Sequence, residues 1–168
     1  GENSVPREEV GYFAVPQESG LILPSGHQEL VKVDVVKVLQ DLGRFFSRCI
    51  EDTELKKFDM EFACQEAIVK GLEDCLRLLF INLFDNAVKF AYTGTYVTIK
   101  LECAQEECRV RFANLGIGVP GDERQRVFLP LRKSRFRDPF RRIEGLGLGL
   151  SYCRRVVEDI FGGTIDLD

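Results

Sequence analysis

Apolar residues recur at helical spacing in three segments of the chain. In residues 36–51 and 147–161 they return every three or four positions, which is the period of one helix face. In residues 72–91 the apolar residues form a single stripe along one helix face. That stripe consists of Leu72, Leu76, Leu79, Leu83 and Ala87. The pattern predicts three helices, each with one face turned toward a core.

Shorter segments alternate apolar and polar residues or are rich in β-branched ones, and they predict strands. They are residues 30–35, 57–64, 67–69, 96–103, 108–113 and 164–167. We expect 57–64 to pair with 67–69, and 96–103 to form a hairpin with 108–113. Hairpin neighbours are antiparallel, which excludes a doubly wound parallel sheet. The predicted fold is an α/β two-layer sandwich, in which three helices cover one face of a mixed, mostly antiparallel sheet.

The first 28 residues show little periodicity. They contain Pro6, Pro16, Pro24 and several glycines, which are residues that interrupt regular structure. We interpret residues 1–28 as an extended lead-in or linker with a short strand near residues 20–23, and residues 29–168 as the folded domain. Because the chain begins with Gly1 and not with Met, we expect a processed or excised piece.

Composition and charge narrow the class of protein. The chain has 168 residues, 45% of them hydrophobic and 30% charged, which suits one globular domain. No apolar run approaches the roughly 20 residues that span a bilayer, and the N-terminus lacks the pattern of a signal peptide. The net charge is −4, yet residues 122–142 hold eight basic and three acidic side chains. A short basic segment in an acidic chain indicates a local anionic ligand and not a nucleic acid.

The cysteines do not form a metal-binding motif. No two are spaced as C-x-x-C, and the single histidine, His27, has no cysteine beside it, so we expect no structural zinc site. Four of them, Cys49, Cys64, Cys75 and Cys153, lie within apolar patterns, and we interpret the cysteines as buried, reduced thiols of a cytosolic protein. They are Cys49, Cys64, Cys75, Cys103, Cys108 and Cys153.

Two asparagines and a lysine share one face of the helix predicted for residues 72–91. Asn82, Asn86 and Lys89 are spaced by four and three residues, so their side chains are neighbours. Asparagine is unfavourable inside a helix, because its amide competes for backbone hydrogen bonds. Its carboxamide oxygen suits Mg²⁺, and a lysine one turn away can reach a phosphate. The alternative is a solvated polar stripe on an amphipathic helix.

Two glycine-rich loops follow later in the chain. The first, residues 114–120, contains Asn114, Gly116 and Gly118 after a predicted strand. The second, residues 145–151, has three glycines two residues apart and leads into the third helix, where backbone N–H groups bind phosphate. Neither the dinucleotide fingerprint nor the P-loop pattern is present. Taken alone, the first loop is also explained as a simple turn, and the alternative for the second is close packing of a helix against the sheet.

The order of these features resembles the ATPase superfamily shared by histidine kinases, DNA gyrase, mismatch-repair ATPases and heat-shock chaperones. Residues 79–90 are similar to the histidine kinase N box and residues 114–120 to the first glycine box. Residues 127–131 are similar to the F box and residues 145–151 to the second glycine box. The resemblance covers residues 33–168 and implies the Bergerat-type ATP-binding fold.

The resemblance also implies roles around the phosphates of a bound nucleotide. Asn86 would coordinate Mg²⁺ with Asn82 in support, and Lys89 would contact the terminal phosphates. In the basic lid between the glycine boxes, Lys133 and Arg135 are the candidates for the γ-phosphate.

Further roles concern the base and the phosphate loop. Phe90 would pack on the nucleotide. Asn114 stands where the family has an aspartate that accepts a hydrogen bond from the adenine amino group, and an amide oxygen can accept the same bond. Gly116 and Gly118 belong to the first glycine box. The second box, which would wrap the phosphates, contributes Gly145, Gly147, Leu148 and Gly149.

The resemblance to histidine kinases predicts the reaction. The hydrolytic members place a glutamate at the position of Asn82, and an asparagine cannot act as a general base at neutral pH. We therefore expect the domain to present the γ-phosphate of Mg²⁺·ATP to a histidine on a separate dimerisation domain, with a response regulator downstream. His27 lacks the helical setting of such an acceptor. We expect a cytoplasmic domain with no nucleic-acid partner and no direct membrane insertion.

Two other functions remain open from the sequence. One is a degenerate kinase domain that senses nucleotide or docks a partner, which Asn114 and the chain end motivate. The other is an anti-sigma-factor-type serine kinase, which shares the fold. The chain stops at Asp168, where the family normally continues with one more hairpin strand. We therefore expect an excised domain or an atypical relative that lacks its last strand.

Overall fold

Seven strands and three α-helices make up the described part of the computed structural model, residues 7–16, 29–51, 56–104, 106–130 and 149–168. The strands are β1 (Arg7–Pro16), β2 (Val31–Asp34), β3 (Lys56–Phe62), β4 (Ile68–Gly71), β5 (Thr95–Ala104), β6 (Glu107–Gly116) and β7 (Thr164–Leu167). The helices are α1 (Val35–Glu51), α2 (Glu73–Phe90) and α3 (Gly149–Arg155). A 3₁₀ helix occupies Arg126–Phe128, and α3 continues as a π-helical segment, Val156–Ile160.

The main sheet contains five strands in the order β3-β5-β6-β1-β7. β3 and β5 are parallel, whereas every other pairing in this sheet is antiparallel. The predicted hairpin is confirmed, since β5 and β6 pair from Ala104↔Glu107 as far as Val97↔Asn114. The alternating pattern of β5 explains the burial of one face, where Val97, Ile99 and Leu101 are fully buried.

The three helices cover this apolar face, which confirms the predicted two-layer sandwich. Aromatic rings join the layers: Phe84 of α2 stacks on Phe46 of α1 with ring centroids 4.9 Å apart, and meets Phe112 of β6 edge-on at 5.2 Å. Such pairs add about 0.5–1.5 kcal/mol beyond the burial of their area. Leu76, Leu79 and Ala87 of the predicted stripe are buried, whereas Leu72 and Leu83 are half-buried.

The predicted pairing of residues 57–64 with 67–69 is wrong. β4 pairs antiparallel with β2 in a separate two-stranded sheet, and β3 pairs with β5. The carboxylate of Asp34 supports the pairing of β4 with β2. Its Oδ1 accepts hydrogen bonds from the backbone N–H groups of Val36 at 3.1 Å and Ala67 at 3.2 Å. This side chain holds the chain before β4 beside the start of α1.

Residues 7–16 form a central strand that the interpretation of residues 1–28 as a lead-in missed. β1 lies between β6 and β7 and pairs antiparallel with both. The prolines in this part of the sequence led us to predict irregular structure. The interior of β1 contains no proline, and Pro16 is its last residue, where a missing N–H disturbs the ladder least. The short strand predicted near residues 20–23 lies outside the described residues.

The third helix and the last strand were predicted. The helix begins at Gly149 in the described residues, and Gly162, with φ of 65°, follows its end; a left-handed glycine is a common helix terminator. The final strand, Thr164–Leu167, has its predicted bounds. Within the described residues, no helix combines the length and the apolar content that crossing a bilayer requires.

Candidate functional site

A cavity opens between α2, the end of β6 and β7. Its wall is mainly apolar, and the polar side chains that line it are Asn86, Asn114 and Asp166. The apolar lining residues are Leu83, Ala87, Phe90, Phe112, Phe128, Leu150, Ile165 and Leu167. An apolar cavity with a few converging polar groups is the usual form of a small-molecule site. It brings together residues from all four motifs singled out in the sequence.

The two asparagines of α2 have different environments. Asn86 lines the cavity directly. One turn earlier, Asn82 donates a hydrogen bond from Nδ2 to the carbonyl oxygen of Leu78 at 2.8 Å, which fixes the orientation of the amide. Its Oδ1 then faces Gly149 at the start of α3: a Cβ on Gly149 would lie 2.7 Å from this oxygen. The absence of a side chain at Gly149 therefore gives the amide of Asn82 its space.

Lys89 lies at the end of α2 and forms an ion pair with Asp85, one turn earlier. Its Nζ is 2.5 Å from Asp85 Oδ2, and its side chain is 40% exposed. Lys89 is not among the residues that line the cavity. Sequence reasoning overlooked Asp85, although an acidic residue four positions before a lysine is the spacing of a helical ion pair.

Asn114 occupies a buried position near the end of β6. It is only 6% exposed, and its Nδ2 has no hydrogen-bond partner among the described residues. A buried polar atom without a partner costs about 1–3 kcal/mol. Since Asn114 also lines the cavity, a ligand with polar groups on its edge could satisfy this amide.

Close backbone packing surrounds the first glycine box. A Cβ on Gly116 would collide with the carbonyl oxygen of Phe90 and approach Asn114 Nδ2 to 2.9 Å. The backbone N–H of Tyr92 donates to the carbonyl of Leu115 at 2.8 Å, which joins the end of α2 to β6. Gly118 has φ of 69°, a conformation that favours glycine. These contacts place Phe90 and Asn114 on the same cavity.

A second group of side chains supports the cavity from the side of α3. The guanidinium carbon of Arg154 lies 4.2 Å from the ring centroid of Phe128, a cation–π distance. Arg154 also donates to Gln125 Oε1 at 2.9 Å, and Gln125 Nε2 donates to Asp166 Oδ1 at 3.1 Å. Sequence reasoning missed Gln125, Arg154 and Asp166, because no local pattern connects residues so far apart in the chain.

Five of the predicted site residues lie outside the described residues. They are Lys133, Arg135, Gly145, Gly147 and Leu148. Their predicted phosphate contacts stay predictions, and Gly149 is the one glycine of the second box that the structure describes.

Two side chains of α3 are neutral at physiological pH. Burial raises the pKa of Cys153 to about 12, and its Sγ donates to the carbonyl of Leu79 at 3.7 Å. Burial, with Cys75 as its neighbour, raises the pKa of Tyr152 to about 12. These uncharged side chains therefore join α3 to α2 through their contacts with Leu79 and Cys75.

Comparison with known proteins agrees with this arrangement. The chain is 38% identical over 134 residues to the adaptive-response sensory kinase SasA of Prochlorococcus marinus (strain MIT 9303), covering 74% of this chain and 35% of that kinase. It is 36% identical over 91 residues to SasA of Parasynechococcus marenigrum (strain WH8102), covering 54% of this chain and 23% of that kinase. The chain thus spans about a third or less of the length of these relatives.

Solved structures share the fold. The nucleotide-free catalytic domain of histidine kinase ThkA has a TM-score of 0.66 at 21% identity, covering 83% of this chain and 93% of that chain. Full-length ShkA in complex with AMPPNP has a TM-score of 0.62 at 21% identity, covering 89% of this chain and 31% of that chain.

A family model described as histidine kinase-, DNA gyrase B-, and HSP90-like ATPase matches residues 71–168, which include α2, both glycine boxes and β7. The resemblance recognised in the sequence is thereby confirmed. The chain belongs to this family of ATPases.

Proposed function

We propose that this chain is the ATP-binding catalytic domain of a sensor histidine kinase. The observation that carries the proposal is the convergence of four motifs on one cavity: Asn86 of the N box, Asn114 of the first glycine box, Phe128 of the F box and Leu150 of the second glycine box all line it. The similarity to SasA kinases supports a kinase over the other members of the family.

The residues around the cavity fit a nucleotide. Phe90 and Leu83 supply apolar surface for a base. The amide of Asn114, whose Nδ2 has no partner among the described residues, supplies both an N–H donor group and an acceptor oxygen. In this proposal Asn114 Oδ1 accepts a hydrogen bond from the adenine amino group after rotation of the amide. The buried Nδ2 would gain a partner in the same complex, which offsets the cost of leaving it unpaired.

The magnesium site in this proposal is Asn86 with Asn82 in support. The orientation of Asn82 fits this role, because its Nδ2 donates to the Leu78 carbonyl and its Oδ1 is the amide atom that faces Gly149 at the start of α3. Amide oxygens are neutral hard ligands, and Mg²⁺ commonly keeps several waters and binds substrate phosphates. When bound, the ion would neutralise charge on the phosphates.

The reaction in this proposal is phosphoryl transfer and not rapid hydrolysis. Asn82 has no basic group to activate water, so the γ-phosphate would persist until an acceptor arrives. Positioning and charge neutralisation then supply most of the catalysis. Lys89, Lys133 and Arg135 are the proposed phosphate contacts, and Lys89 would exchange its ion pair with Asp85 for a phosphate oxygen.

The proposed acceptor is a histidine on a separate dimerisation domain, with a response regulator as the next recipient. A cytoplasmic location belongs to the same proposal, since ATP and response regulators are found there. Residues 29–168 carry the nucleotide site in this proposal, and β1 (Arg7–Pro16) belongs to the same folded unit, because it pairs with both β6 and β7.

Calorimetric titration with ATP tests the proposal, first with Mg²⁺ and then with a chelator. We expect micromolar Mg²⁺-dependent binding, about −7 to −8 kcal/mol. A folded sample without detectable binding would favour a degenerate docking module. With a histidine-bearing dimerisation domain and labelled ATP, we expect an acid-labile phosphoprotein, whereas an acid-stable product would indicate a serine kinase.

A further inference from the structure

Three cysteines lie side by side across the main sheet. Cys103 of β5 pairs with Cys108 of β6 in the antiparallel register. Cys64 follows β3 by two residues, and the backbone N–H of Ala63 donates to the carbonyl of Leu101 at 2.9 Å, which continues the parallel register and brings Cys64 next to Cys103. This cysteine row follows the row formed by Phe62, Leu101 and Val110.

The row is remote from the cavity. Cys103 is six residues along β5 from Val97, the partner of Asn114, a distance of about 20 Å at about 3.3 Å per residue. The nucleotide proposal therefore makes no use of these thiols. Any chemistry at the row is independent of whether the cavity binds ATP.

The geometry of Cys64 and Cys103 is close to that of a bonded pair. Their sulfur atoms are 2.7 Å apart, compared with about 2.05 Å in a disulfide. Neighbouring strands lie about 4.8 Å apart, within the usual Cα separation of about 4.4–6.8 Å for bonded cysteines. Both side chains are half-buried, so a small oxidant can reach them, whereas Cys108 is buried.

We propose that Cys64 and Cys103 are a modification site at which a peroxide forms a reversible disulfide. One thiolate attacks a peroxide oxygen, which breaks the O–O bond and gives a sulfenic acid and water after proton transfer. The second thiol then attacks the sulfenic sulfur, the S–S bond forms, and the hydroxyl group leaves as a second water. Two thiols are oxidised and one peroxide is reduced.

The environment of the pair sets the rate of this reaction. Burial and the neighbouring Cys103 raise the pKa of Cys64 to about 11, and only the thiolate is an effective nucleophile. Oxidation is therefore slow at neutral pH and accelerates as the pH rises. The bond would close a loop that contains β4 and all of α2, the helix that carries Asn82 and Asn86.

Peptide mapping of the purified chain tests the site. The chain is treated with hydrogen peroxide at mildly alkaline pH, remaining thiols are blocked with N-ethylmaleimide, and the product is digested. Trypsin releases Cys64 in residues 58–70 and both Cys103 and Cys108 in residues 101–109. A glutamate-specific protease also cleaves after Glu106 and Glu107, which separates the latter two cysteines.

We expect a linked pair of these peptides, lighter by two hydrogens than its parts and released by dithiothreitol. The link should persist in Cys108→Ser and disappear in Cys103→Ser, while Cys49→Ser serves as the matched control at an exposed cysteine. The proposal is overturned if Cys49 is oxidised while residues 58–70 stay unlinked. A link from Cys64 to Cys108 in the wild-type digest overturns it as well. This part of the experiment uses only the wild-type chain, so it does not depend on whether a variant folds.

Discussion

Asn82 Oδ1 occupies the space that a side chain on Gly149 would need, with only 2.7 Å between this oxygen and the site of a Cβ. Gly149→Ala should displace the amide of Asn82 while leaving the fold intact, because this amide is the end of a side chain and can move to make room. We expect the affinity for Mg²⁺·ATP to fall about tenfold, equivalent to about 1.4 kcal/mol. Calorimetry measures this change.

The matched control is Gly121→Ala, since a Cβ on Gly121 would meet no atom of the described residues within 4 Å. This variant should bind ATP as the wild type does. Equal affinity of Gly149→Ala and Gly121→Ala would show that the contact between α3 and Asn82 has no part in nucleotide binding.

Asn86→Ala tests the metal assignment. Asn86 lines the cavity on α2, and alanine removes the amide without harming helix propensity. We expect the Mg²⁺-dependent part of ATP binding to be lost and the unfolding transition to be retained. Titration in chelator is the internal control, because the residual binding there should equal that of the wild type. An unchanged response to Mg²⁺ would refute the assignment.

Asn114→Asp tests how the base is read. An amide offers both a donor and an acceptor, whereas a carboxylate only accepts; adenine presents an amino group where guanine presents a carbonyl. We therefore expect the ratio of ATP to GTP affinity to rise about tenfold in the variant, about 1.4 kcal/mol. Competition binding of the two nucleotides measures the ratio. If the ratio is the same in both proteins, residue 114 does not contact the base edge.

Local pattern was sufficient to predict α2 and the β5–β6 hairpin, because helical period and alternation are properties of neighbouring residues. It also placed Asn86 and Asn114 among the candidate site residues, and both line the cavity. The partner of β4 was not predictable in this way, since β4 pairs with β2, which is distant in the chain, and the supporting contact joins Asp34 to Ala67, 33 residues later. The contact between Gln125 and Asp166 likewise joins residues 41 positions apart.

Gly71→Ala should destabilise the fold. A Cβ at this position would collide with the ring of Phe161, which is fully buried beyond the π-helical segment. Because a ring enclosed in the core cannot move freely, overpacking should cost about 1–3 kcal/mol of unfolding free energy. Urea unfolding measures the loss, with Gly121→Ala as control. A variant as stable as the wild type would mean that Phe161 can repack.

Cys153 should make the fold less stable in alkali. Burial raises its pKa from 9.0 to about 12 in the folded chain, so above pH 9 the unfolded chain loses a proton that the folded chain still holds. This thiol's contribution to stability is therefore complete below about pH 9 and declines between pH 9 and about 12, by up to about 1.4 kcal/mol per pH unit.

Urea unfolding at several pH values should show a smaller decline in Cys153→Ala than in the wild type. Cys49→Ala, at an exposed position, should keep the wild-type decline. If all three proteins lose stability equally with pH, the buried thiol does not determine the alkaline limit of the fold.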